Sequence, residues 1–583
     1  MDNSINEKKA QFIKMQEEQA AVVGGFRNMT KDPMKAQTEL LFKILQDNKD
    51  TEYGKKYNFA DIKTIEDFQN NVPVSVYDDY APYIERMAEK GERDLITVYP
   101  IHIYNKTSGT VGIPKKIPMT KTAVQVFTKY TRDYQAGLLS ECLGAEKNMG
   151  RSLSLIQASA PKIMPDGVAF GALSDYYLLK ARPMWDKAFV TPAEAAFAEV
   201  GTNIRYIHAR FALCAADPVG LSCSFTSFVS EFFRYIENNW ELLVKDIENG
   251  TIDDSIEMPE DVRITLLEKI KPMPERAAEL KEIFSKGFAE PFVPKVWPKI
   301  VSFSGGASGS FKAYTEFAKK RYLGENIKIF CRGICASEGA FTAPVKLDSY
   351  ESVFLPDSVF FEFAEEKDGE IDLSDIKTLD KLETGKKYEL IITNLSGYYR
   401  YRMRDVFLIK GMYNNTPTAD YLYRSDKTVS IMGEKTTETA LRETAENAAK
   451  ACGFSLIDST VYPDTDNTRY VFLTEIENVP DSLTEAKVRD EVEKALSAAN
   501  PSMGDKIKKG LCRPVEVKFM QSEAFLLWRD IAVMRGASPG QQKPVTVISN
   551  EAQRKFFFSQ TEDFETVKAL KEKNAPINNT RRE

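Results

Sequence analysis

The segment YNKTSGTVGIPKKIPMT, residues Tyr104–Thr120, is the most informative stretch of this chain. It combines Ser and Thr hydroxyls, two glycines and a pair of lysines in one short polar turn. Glycine lets backbone N–H groups point at phosphate oxygens, hydroxyls add donors, and lysine adds positive charge. A strand-like run, residues 101–104, precedes it, and residues 121–134 have the apolar spacing of a helix. A strand, a glycine-rich loop and a helix together predict a site for the phosphates of a nucleotide.

The spacing excludes one common phosphate-binding loop. A Walker A loop needs a glycine directly before a Lys-Ser or Lys-Thr pair. Counted from Gly109, that glycine position holds Pro114, and Lys115 is followed by Lys116. Considered alone, the segment could also be an ordinary glycine-containing surface turn. Other parts of the sequence are needed to distinguish a phosphate-binding loop from such a turn.

Length and composition indicate a globular protein with more than one domain. A chain of 583 residues is too long for one hydrophobic core. Its net charge of −7 and the lack of a Lys/Arg-rich tract argue against nucleic acid or an anionic membrane as partner. The polar N-terminus has no apolar signal region, and no apolar run approaches the roughly 20 residues that span a bilayer. We therefore expect a cytoplasmic location.

Cysteine and histidine usage argues against a zinc site and against a hydrolase. The seven cysteines are scattered, and we expect free thiols in a reducing compartment. The chain has two histidines, His102 and His208, too few for clustered zinc ligands and unfavourable for Ser-His-Asp or Cys-His catalysis.

The order of patterns predicts a large α/β domain, with β-sheets flanked by helices, followed by a smaller mobile α+β domain. Residues 6–50 have the spacing of two helices, and short strands then alternate with helical patterns. A long helix is predicted to end at Gly250, and residues 251–290 are interpreted as an exposed helical excursion. A charged hinge-like segment separates the predicted domains, residues 1–424 and 425–583.

Two segments of the first domain could complete a nucleotide site. The turn SGGASGS contains Gly305 and Gly306 and can bring the backbone close to a flat ring or a phosphate. The segment GICASEG places Ser337 beside Glu338 shortly after a strand. A carboxylate there can hold Mg²⁺ that bridges phosphates, because Mg²⁺ takes oxygen ligands.

Two later segments add an aspartate and a lysine. KYELIITNLSGYYRYRMRDVFLIKGM is predicted to form two strands around an Asn-Leu-Ser-Gly turn, with the arginines on one face of the second strand. Its YRMRD part, Tyr401–Asp405, ends in a carboxylate that could accept hydrogen bonds from a ribose diol. Lys543 follows a flexible Gly-Gln-Gln in the predicted mobile domain. Each of these segments alone is more often a solvated face or a turn. The prediction of a nucleotide site therefore depends on their occurring together and in this order.

The first segment resembles the phosphate loop of adenylate-forming enzymes, which include acyl-CoA synthetases, luciferases and nonribosomal adenylation domains. Their pattern T/S-S-G-T-T-G-x-P-K is matched by residues 107–115, with Val111 as the departure. The other segments follow in the order of that superfamily: glycine turn, Ser-Glu pair, Y-R-x-G-D strand, hinge and C-terminal lysine. In this chain Arg424, with Asp426 nearby, occupies the hinge.

Within the superfamily the chain is most similar to the auxin-responsive acyl acid–amido synthetases. The resemblance depends on GYYRYRMRDV (397–406), RSDKTVSIMGEKTTE (424–438) and GQQKP (540–544), and it spans roughly residues 35–550.

Several positions depart from the family pattern. Ile334 replaces the aromatic residue that commonly stacks on adenine, Cys335 the following glycine, and Arg404 the glycine before the ribose aspartate. Val545 and Thr546 stand where plant members have Pro-Arg.

The resemblance implies ATP and Mg²⁺ as cofactors, with a small-molecule carboxylic acid and an amine, an amino acid, as substrates. The acid would become an acyl-adenylate and then an amide, with release of AMP and pyrophosphate. It implies that Glu338 holds the metal and that Lys543 is the catalytic cation of the mobile domain. The implied nucleotide-binding residues are Thr107, Ser108, Gly109, Thr110, Lys115, Lys116, Gly305, Gly306, Ser337, Glu338, Tyr401, Asp405 and Arg424.

Two alternatives stay open at the level of sequence. The acceptor could be a thiol such as coenzyme A, or the chain could be a non-catalytic member that keeps the fold. The sequence leaves the acid unidentified, and we expect a monomer or a weak dimer.

Overall fold

The computed structural model describes the following residues: 2–106, 115–148, 150–198, 201–367, 370–425, 428–535, 537 and 542–569. They form two units, the first ending at Tyr421 and the second beginning at Leu422.

The first unit alternates helices and strands. Its helices are α1 (Asp2–Met29), α2 (Pro33–Asn48), α3 (Glu52–Lys56), α4 (Ile65–Asn71), α5 (Tyr77–Lys90), α6 (Lys121–Thr128), α7 (Gln135–Leu143), α8 (Leu173–Ala181), α9 (Trp185–Ala188), α10 (Ala193–Ala196), α11 (Ile204–Cys214), α12 (Ser227–Asn249), α13 (Glu260–Glu268), α14 (Pro274–Phe284), α15 (Val293–Val296) and α16 (Lys312–Ala318). The strands that begin in it are β1 (Ile101–Lys106), β2 (Lys116–Thr120), β3 (Ser152–Leu155), β4 (Lys162–Ile163), β5 (Ala169–Gly171), β6 (Gly220–Phe225), β7 (Ser302–Gly306), β8 (Lys328–Cys331), β9 (Cys335–Ala336), β10 (Gly339–Ala340), β11 (Thr342–Ala343), β12 (Ser352–Phe354), β13 (Phe360–Lys367), β14 (Glu370–Thr378), β15 (Lys387–Thr393), β16 (Tyr401–Tyr413) and β17 (Thr416–Arg424).

A parallel sheet with strand order β3-β6-β7-β8 carries one core of this unit. Leu153, Leu221 and Phe303 lie side by side on it and pack with apolar residues of α11, α12 and α14. The helix α12 ends where Gly250 adopts the left-handed conformation, with φ of 69°, as predicted for its C-cap. The α/β fold class expected from the sequence is confirmed.

A seven-stranded sheet, in the order β11-β12-β17-β16-β15-β13-β14, carries the second core. Helices α2 to α5 contribute to the same apolar cluster, which includes Phe68, Phe361 and Tyr399. The predicted pair of strands around the Asn-Leu-Ser-Gly turn is confirmed as the antiparallel hairpin β15–β16. Strands β2-β1-β5-β4 form a third sheet.

Two local predictions were wrong. Residues 251–290 are not an exposed excursion, because Ala277, Leu280 and Phe284 of α14 are buried in the core beside α12. The segment after the glycine-rich loop is first a strand, β2, which pairs antiparallel with β1, and only then the helix α6. The loop therefore joins two strands, so the helix-terminus argument for phosphate binding does not apply to it.

The second unit is an α+β arrangement. Its helices are α17 (Glu438–Cys452), α18 (Glu485–Ala499), α19 (Pro501–Lys508), α20 (Ala524–Met534), α21 (Glu551–Ser559) and α22 (Phe564–Ala569). Its strands are β18 (Thr428–Val429), β19 (Thr436–Thr437), β20 (Ser455–Asp464), β21 (Arg469–Glu477), β22 (Glu516–Met520) and β23 (Thr561–Glu562). The sheet β20-β21-β22-β23 shares one apolar cluster with α17 and α18. No helix in the described ranges of either unit has the length and apolarity needed to cross a membrane.

Candidate active site

The structure distributes the predicted site residues over both units. Those in the first unit are Lys115, Lys116, Gly305, Gly306, Ser337, Glu338, Tyr401 and Asp405. Arg424 and Lys543 belong to the second unit. Thr107, Ser108, Gly109 and Thr110 lie outside the described residues.

Glu338 occupies the tight turn between β9 and β10, and hydrogen bonds from distant parts of the chain fix this turn. Asn105 Nδ2 donates to the Ser337 carbonyl at 3.2 Å, and Ser337 Oγ donates to the Lys106 carbonyl at 3.3 Å. Asn394 Nδ2 donates to the Glu338 carbonyl at 3.0 Å. The Glu338 residue is 8% exposed. The backbone turn that carries the predicted metal-binding carboxylate is thus anchored to the end of β1, where the predicted phosphate loop begins.

Asn105 and Asn394 are positioning residues that sequence reasoning missed. Asn105 is a buried amide in an otherwise mainly apolar strand, and its Oδ1 also accepts a hydrogen bond from Leu173 N at 3.0 Å. Asn394 belongs to the predicted turn, where its Oδ1 accepts from the backbone of Ser396 and Tyr398. A buried polar side chain in an apolar strand was the available signal, because such groups need hydrogen-bond partners.

Asp405 follows an irregularity in the β15–β16 hairpin. Val406 pairs with Glu389 and Arg402 with Ile391, so one residue of β15 faces three residues of β16. Within this bulge Arg404 has φ of 65°, a left-handed conformation that glycine adopts without strain. Asp405 itself is 6% exposed. The bulge therefore keeps the backbone geometry expected for the family's glycine, although an arginine occupies the position.

Replacing Arg404 with glycine is expected to raise the free energy of unfolding by about 1 kcal/mol, because a non-glycine residue in the left-handed region is strained by about that amount. The Arg404 side chain makes no hydrogen bond or ion pair with the described residues, so the substitution removes no such contact. The measurement is the urea midpoint of the first unit's unfolding transition. A midpoint lower than that of the wild type would contradict the strain argument.

The neighbouring arginines form buried ion pairs. Arg400 Nε donates to both carboxylate oxygens of Glu362 at 3.1 Å, and Arg402 pairs with Glu389. Both glutamates are fully buried in the sheet. Arg400 precedes β16 and has φ of 49°, and Arg404 lies in the bulge, so the regular alternation predicted for the arginines is interrupted at both positions. These two arginines are structural.

Tyr401 and Tyr398 pack against each other behind Glu338, with ring centroids 4.6 Å apart. The Tyr398 hydroxyl is completely buried and has no hydrogen-bond partner among the described residues. Burial, with the nearby Tyr401 and Glu338, holds the pKa of Tyr398 well above its ordinary value, so the hydroxyl stays protonated. Close to the predicted metal carboxylate, the described part of the chain therefore contains a buried donor for which it supplies no acceptor.

Tyr398→Phe is expected to raise the stability of the ligand-free protein by about 1 kcal/mol, since a buried unsatisfied hydroxyl costs about 1–3 kcal/mol. The ring contacts with Tyr401 and Tyr80 are retained. Denaturant unfolding of both proteins without nucleotide tests this, with Tyr470→Phe as the matched comparison. The Tyr470 hydroxyl is also buried but is bonded to Glu434 and Thr436, so its removal should destabilise. A loss of stability in Tyr398→Phe would mean that the hydroxyl has a partner.

The two candidate lysines at the phosphate loop differ in their contacts. Lys116 Nζ forms an ion pair with Glu89 at 2.7 Å. Lys115 is exposed, and its ammonium lies 4.7 Å from the centre of the Tyr77 ring. Glu89 offsets the charge of the Lys116 ammonium, whereas the Tyr77 ring leaves the charge and the N–H donors of Lys115 available to an anion. The geometry therefore favours Lys115 for an interaction with phosphate.

The glycine turn ends β7 at the carboxyl edge of the parallel sheet. A β-carbon added to Gly306 would lie 2.9 Å from the Ser224 carbonyl oxygen, so a side chain does not fit there. The backbone N–H of Arg332 donates to the Gly305 carbonyl at 3.0 Å, which ties the turn to the residue after β8. Ligands of α/β sheets bind beyond this edge.

In the second unit, Lys543 lies in a segment that adds to the sheet. Val461 N donates to the Thr546 carbonyl, and Ile548 N to the Val461 carbonyl, both at 2.9 Å. This pairing fixes the chain directly after Lys543 against β20, while the Lys543 residue itself is exposed. The sheet of the second unit therefore holds the chain three residues after Lys543.

Glu338 is the carboxylate that the sequence assigned to Mg²⁺. Across the described residues no group of three or more His, Cys, Asp and Glu side chains is arranged to hold a metal ion. The seven cysteines are free thiols, as predicted.

Comparison with known protein families covers most of the chain. The model of the GH3 family N-terminal domain matches residues 22–327, that of the GH3 family central domain residues 352–424, and that of the GH3 family C-terminal domain residues 436–552.

Curated relatives match over most of their own length. The chain is 26% identical to the 4-substituted benzoates-glutamate ligase GH3.12 of Arabidopsis thaliana, over 89% of this chain and 93% of that protein. It is 26% identical to the indole-3-acetic acid-amido synthetase GH3.3 of the same plant, over 89% and 90%. Jasmonoyl–L-amino acid synthetase JAR6 of Nicotiana attenuata is 29% identical over 74% of this chain and 76% of that protein.

Solved structures share the fold. GH3.15 acyl acid amido synthetase superposes with a TM-score of 0.80 at 24% identity, covering 94% of this chain and 97% of that one. A 2-hydroxyisobutyryl-CoA ligase in complex with an acyl-AMP superposes with a TM-score of 0.52 at 12% identity, over 93% and 91%. The fold is therefore that of adenylate-forming enzymes.

Proposed function

The chain belongs to the GH3 family, and we propose that it is an ATP-dependent acyl acid–amido synthetase that joins a carboxylic acid to an amino acid. The observation that carries this proposal is the match of all three GH3 domains, in order, over residues 22–552. The curated relatives are named for ligases and synthetases that join acids to amino acids.

The chemistry proceeds in two steps. A carboxylate oxygen attacks the α-phosphorus of ATP, a P–O bond forms, and pyrophosphate leaves with the electron pair of the broken bond. The amine of the amino acid then attacks the acyl carbon, AMP leaves, and the nitrogen loses a proton. The first step is needed because a carboxylate alone would have to expel oxide.

We assign the steps to residues of both units. Asp405 and Arg424 bind the ribose, the Gly305–Gly306 turn approaches the nucleotide base, and Lys543 stabilises the charge that develops on the α-phosphate. Tyr401 packs in the core behind Glu338, so we infer that it supports the site rather than contacts the nucleotide. Residues 107–110 and Lys115 bind the phosphates.

The fixed turn around Ser337 supports Glu338 as the residue that holds Mg²⁺. The metal would neutralise charge on the phosphates of ATP. Cytoplasmic location and a monomeric or weakly dimeric state stay predictions from the sequence.

A pyrophosphate-release screen over a panel of carboxylic acids tests the function. We expect AMP and pyrophosphate in equal amounts, and a product whose mass equals acid plus amino acid minus water. Each acid is tested with an amino-acid mixture and, separately, with coenzyme A. A thioester as sole product would replace the amine acceptor by a thiol. Release of ADP, or no AMP with any acid, would contradict the proposal, the latter in favour of a non-catalytic member.

A further inference from the structure

The parallel sheet β3-β6-β7-β8 has two chemically different faces. One face is apolar and packs into the core described above. The opposite face carries hydroxyl groups at registered positions of three adjacent strands. We call it the serine face, and its residues are Ser152, Ser154, Ser222, Ser302 and Ser304. Parallel sheets usually carry apolar side chains on both faces, so this polar face requires an explanation.

A guanidinium group lies at the carboxyl end of the serine face. Arg332 Nε donates to Ser304 Oγ at 3.0 Å, and Ser304 pairs in register with Ser222, whose Oγ lies 2.6 Å from Ser154 Oγ. Arg332 follows β8 directly, beside the Gly305 turn. The cation and the hydroxyls therefore form one polar strip that ends where ligands of such sheets bind.

Arg332 differs from Arg400 and Arg402 because it has no anionic partner among the described residues. Arg400 and Arg402 each pair with a buried glutamate. In the ranges that the structure describes, Ser304 is the hydrogen-bond partner of the Arg332 guanidinium, and no carboxylate forms an ion pair with it. The residue is half-buried, and desolvation lowers the pKa of its guanidinium.

An arginine in this position is poised for an external anion. Burying a charge without a counter-ion is unfavourable, so a bound anion would offset a cost that the ligand-free protein carries. The planar guanidinium keeps N–H donors beyond the one used by Ser304, and their fork matches the two oxygens of a carboxylate.

We propose that Arg332, Ser304 and the adjoining serine face bind a carboxylate group of a substrate that does not itself react. This inference rests on the proposed function. That carboxylate has two sources: a second acidic group on the acid that is adenylated, or the α-carboxylate of the amino-acid acceptor. The experiment below separates them.

The test compares wild-type protein with Arg332→Met, the charge-preserving Arg332→Lys, and Ser304→Ala. Arg489→Met on the exposed surface of α18 is the matched control. ATP–pyrophosphate exchange without amine reports on the acid, using glutarate against pentanoate and adipate against hexanoate. Amide formation reports on the acceptor. Here the KM of each amino acid is compared with the KM of its α-amide, which lacks the α-carboxylate.

If the acid carries the second carboxylate, Arg332→Met should raise the KM of the dicarboxylate roughly 10- to 100-fold and leave the monocarboxylate unchanged, because a charged hydrogen-bonded pair is lost. If the acceptor supplies it, the KM of the amino acid should rise by the same factor, with exchange unchanged. Arg332→Lys should recover part of the loss, and Ser304→Ala should show a smaller one. Either pattern supports the site.

The inference is overturned if neither KM changes by more than about twofold, or if the KM of ATP rises by the same factor, which would indicate general damage to the fold. A wild-type protein that releases no AMP with any acid would refute the proposed function instead. The carboxylate site is then judged by the shift in unfolding temperature that glutarate or glutamate produces. A shift that is lost in Arg332→Met supports the site, and no shift in the wild type refutes it.

Discussion

Lys543→Ala is expected to lower the rate of ATP–pyrophosphate exchange by about 10²–10³-fold, the usual cost of removing one preorganised donor from a developing charge. The α-phosphate gathers negative charge as the carboxylate attacks, and a cation placed there stabilises that state more than it stabilises bound ATP. The loss should therefore appear in kcat rather than in the KM of ATP. Exchange measured with saturating acid and ATP is the readout.

The second step, amide formation from the acyl-adenylate, provides a comparison within the same variant, because Lys543 is assigned to the first step only. If the second unit delivers this lysine for adenylation and withdraws it afterwards, amide formation from a synthetic acyl-adenylate should be far less affected by Lys543→Ala. Lys555→Ala, an exposed lysine on α21 of the same unit, controls for loss of surface charge. Full exchange activity in Lys543→Ala would remove Lys543 from the catalytic role. An equal loss in both half-reactions would instead refute the movement.

Local sequence signals predicted the elements whose boundaries depend on local chemistry. The end of α12 at Gly250 and the hairpin β15–β16 follow from a left-handed cap and a turn between alternating strands. The strand β2 was missed because its pairing with β1 bridges a long loop, and a short apolar run has no period that separates strand from helix. The buried face of α14 was missed because its charged residues dominate the composition of the segment.

In the candidate site, too, local sequence predicted some features and tertiary contacts determine the others. Glu338 and Asp405 could be found as motif residues, but their supports could not, since Asn105 and Asn394 contact the Glu338 turn across 232 and 56 residues of sequence. That no carboxylate among the described residues pairs with Arg332 is likewise a property of the folded protein alone. Sequence gives the residue types, and only tertiary packing determines which polar groups find partners.

At Arg404 the sequence pattern and the backbone conformation can be compared directly. Sequence comparison presents this arginine as a departure from the family's glycine, and the structure shows a backbone conformation that glycine would adopt without strain. The conformation is therefore imposed by the hairpin register and not by the residue that occupies it. We infer that the bulge orients the next residue, Asp405.

Asp405→Asn is accordingly expected to weaken ATP binding by roughly 10- to 100-fold, because a carboxylate accepting hydrogen bonds from both ribose hydroxyls makes charge-assisted bonds that an amide cannot replace. The asparagine keeps the shape of the side chain, so the fold of the hairpin should be preserved. Equilibrium binding of ATP by calorimetry measures the effect directly. Binding of inorganic pyrophosphate, which has no ribose, should be unchanged.

Asp375→Asn is the matched control for this substitution, since Asp375 lies on β14 of the same sheet and is exposed. It should leave the Kd of ATP unaltered. If Asp405→Asn bound ATP as tightly as the wild type, the bulge would have to orient some other group, and the assignment of the ribose to Asp405 would be wrong. If pyrophosphate binding fell in parallel with ATP binding, the substitution would have disturbed the phosphate site rather than the ribose contact, with the same consequence for Asp405.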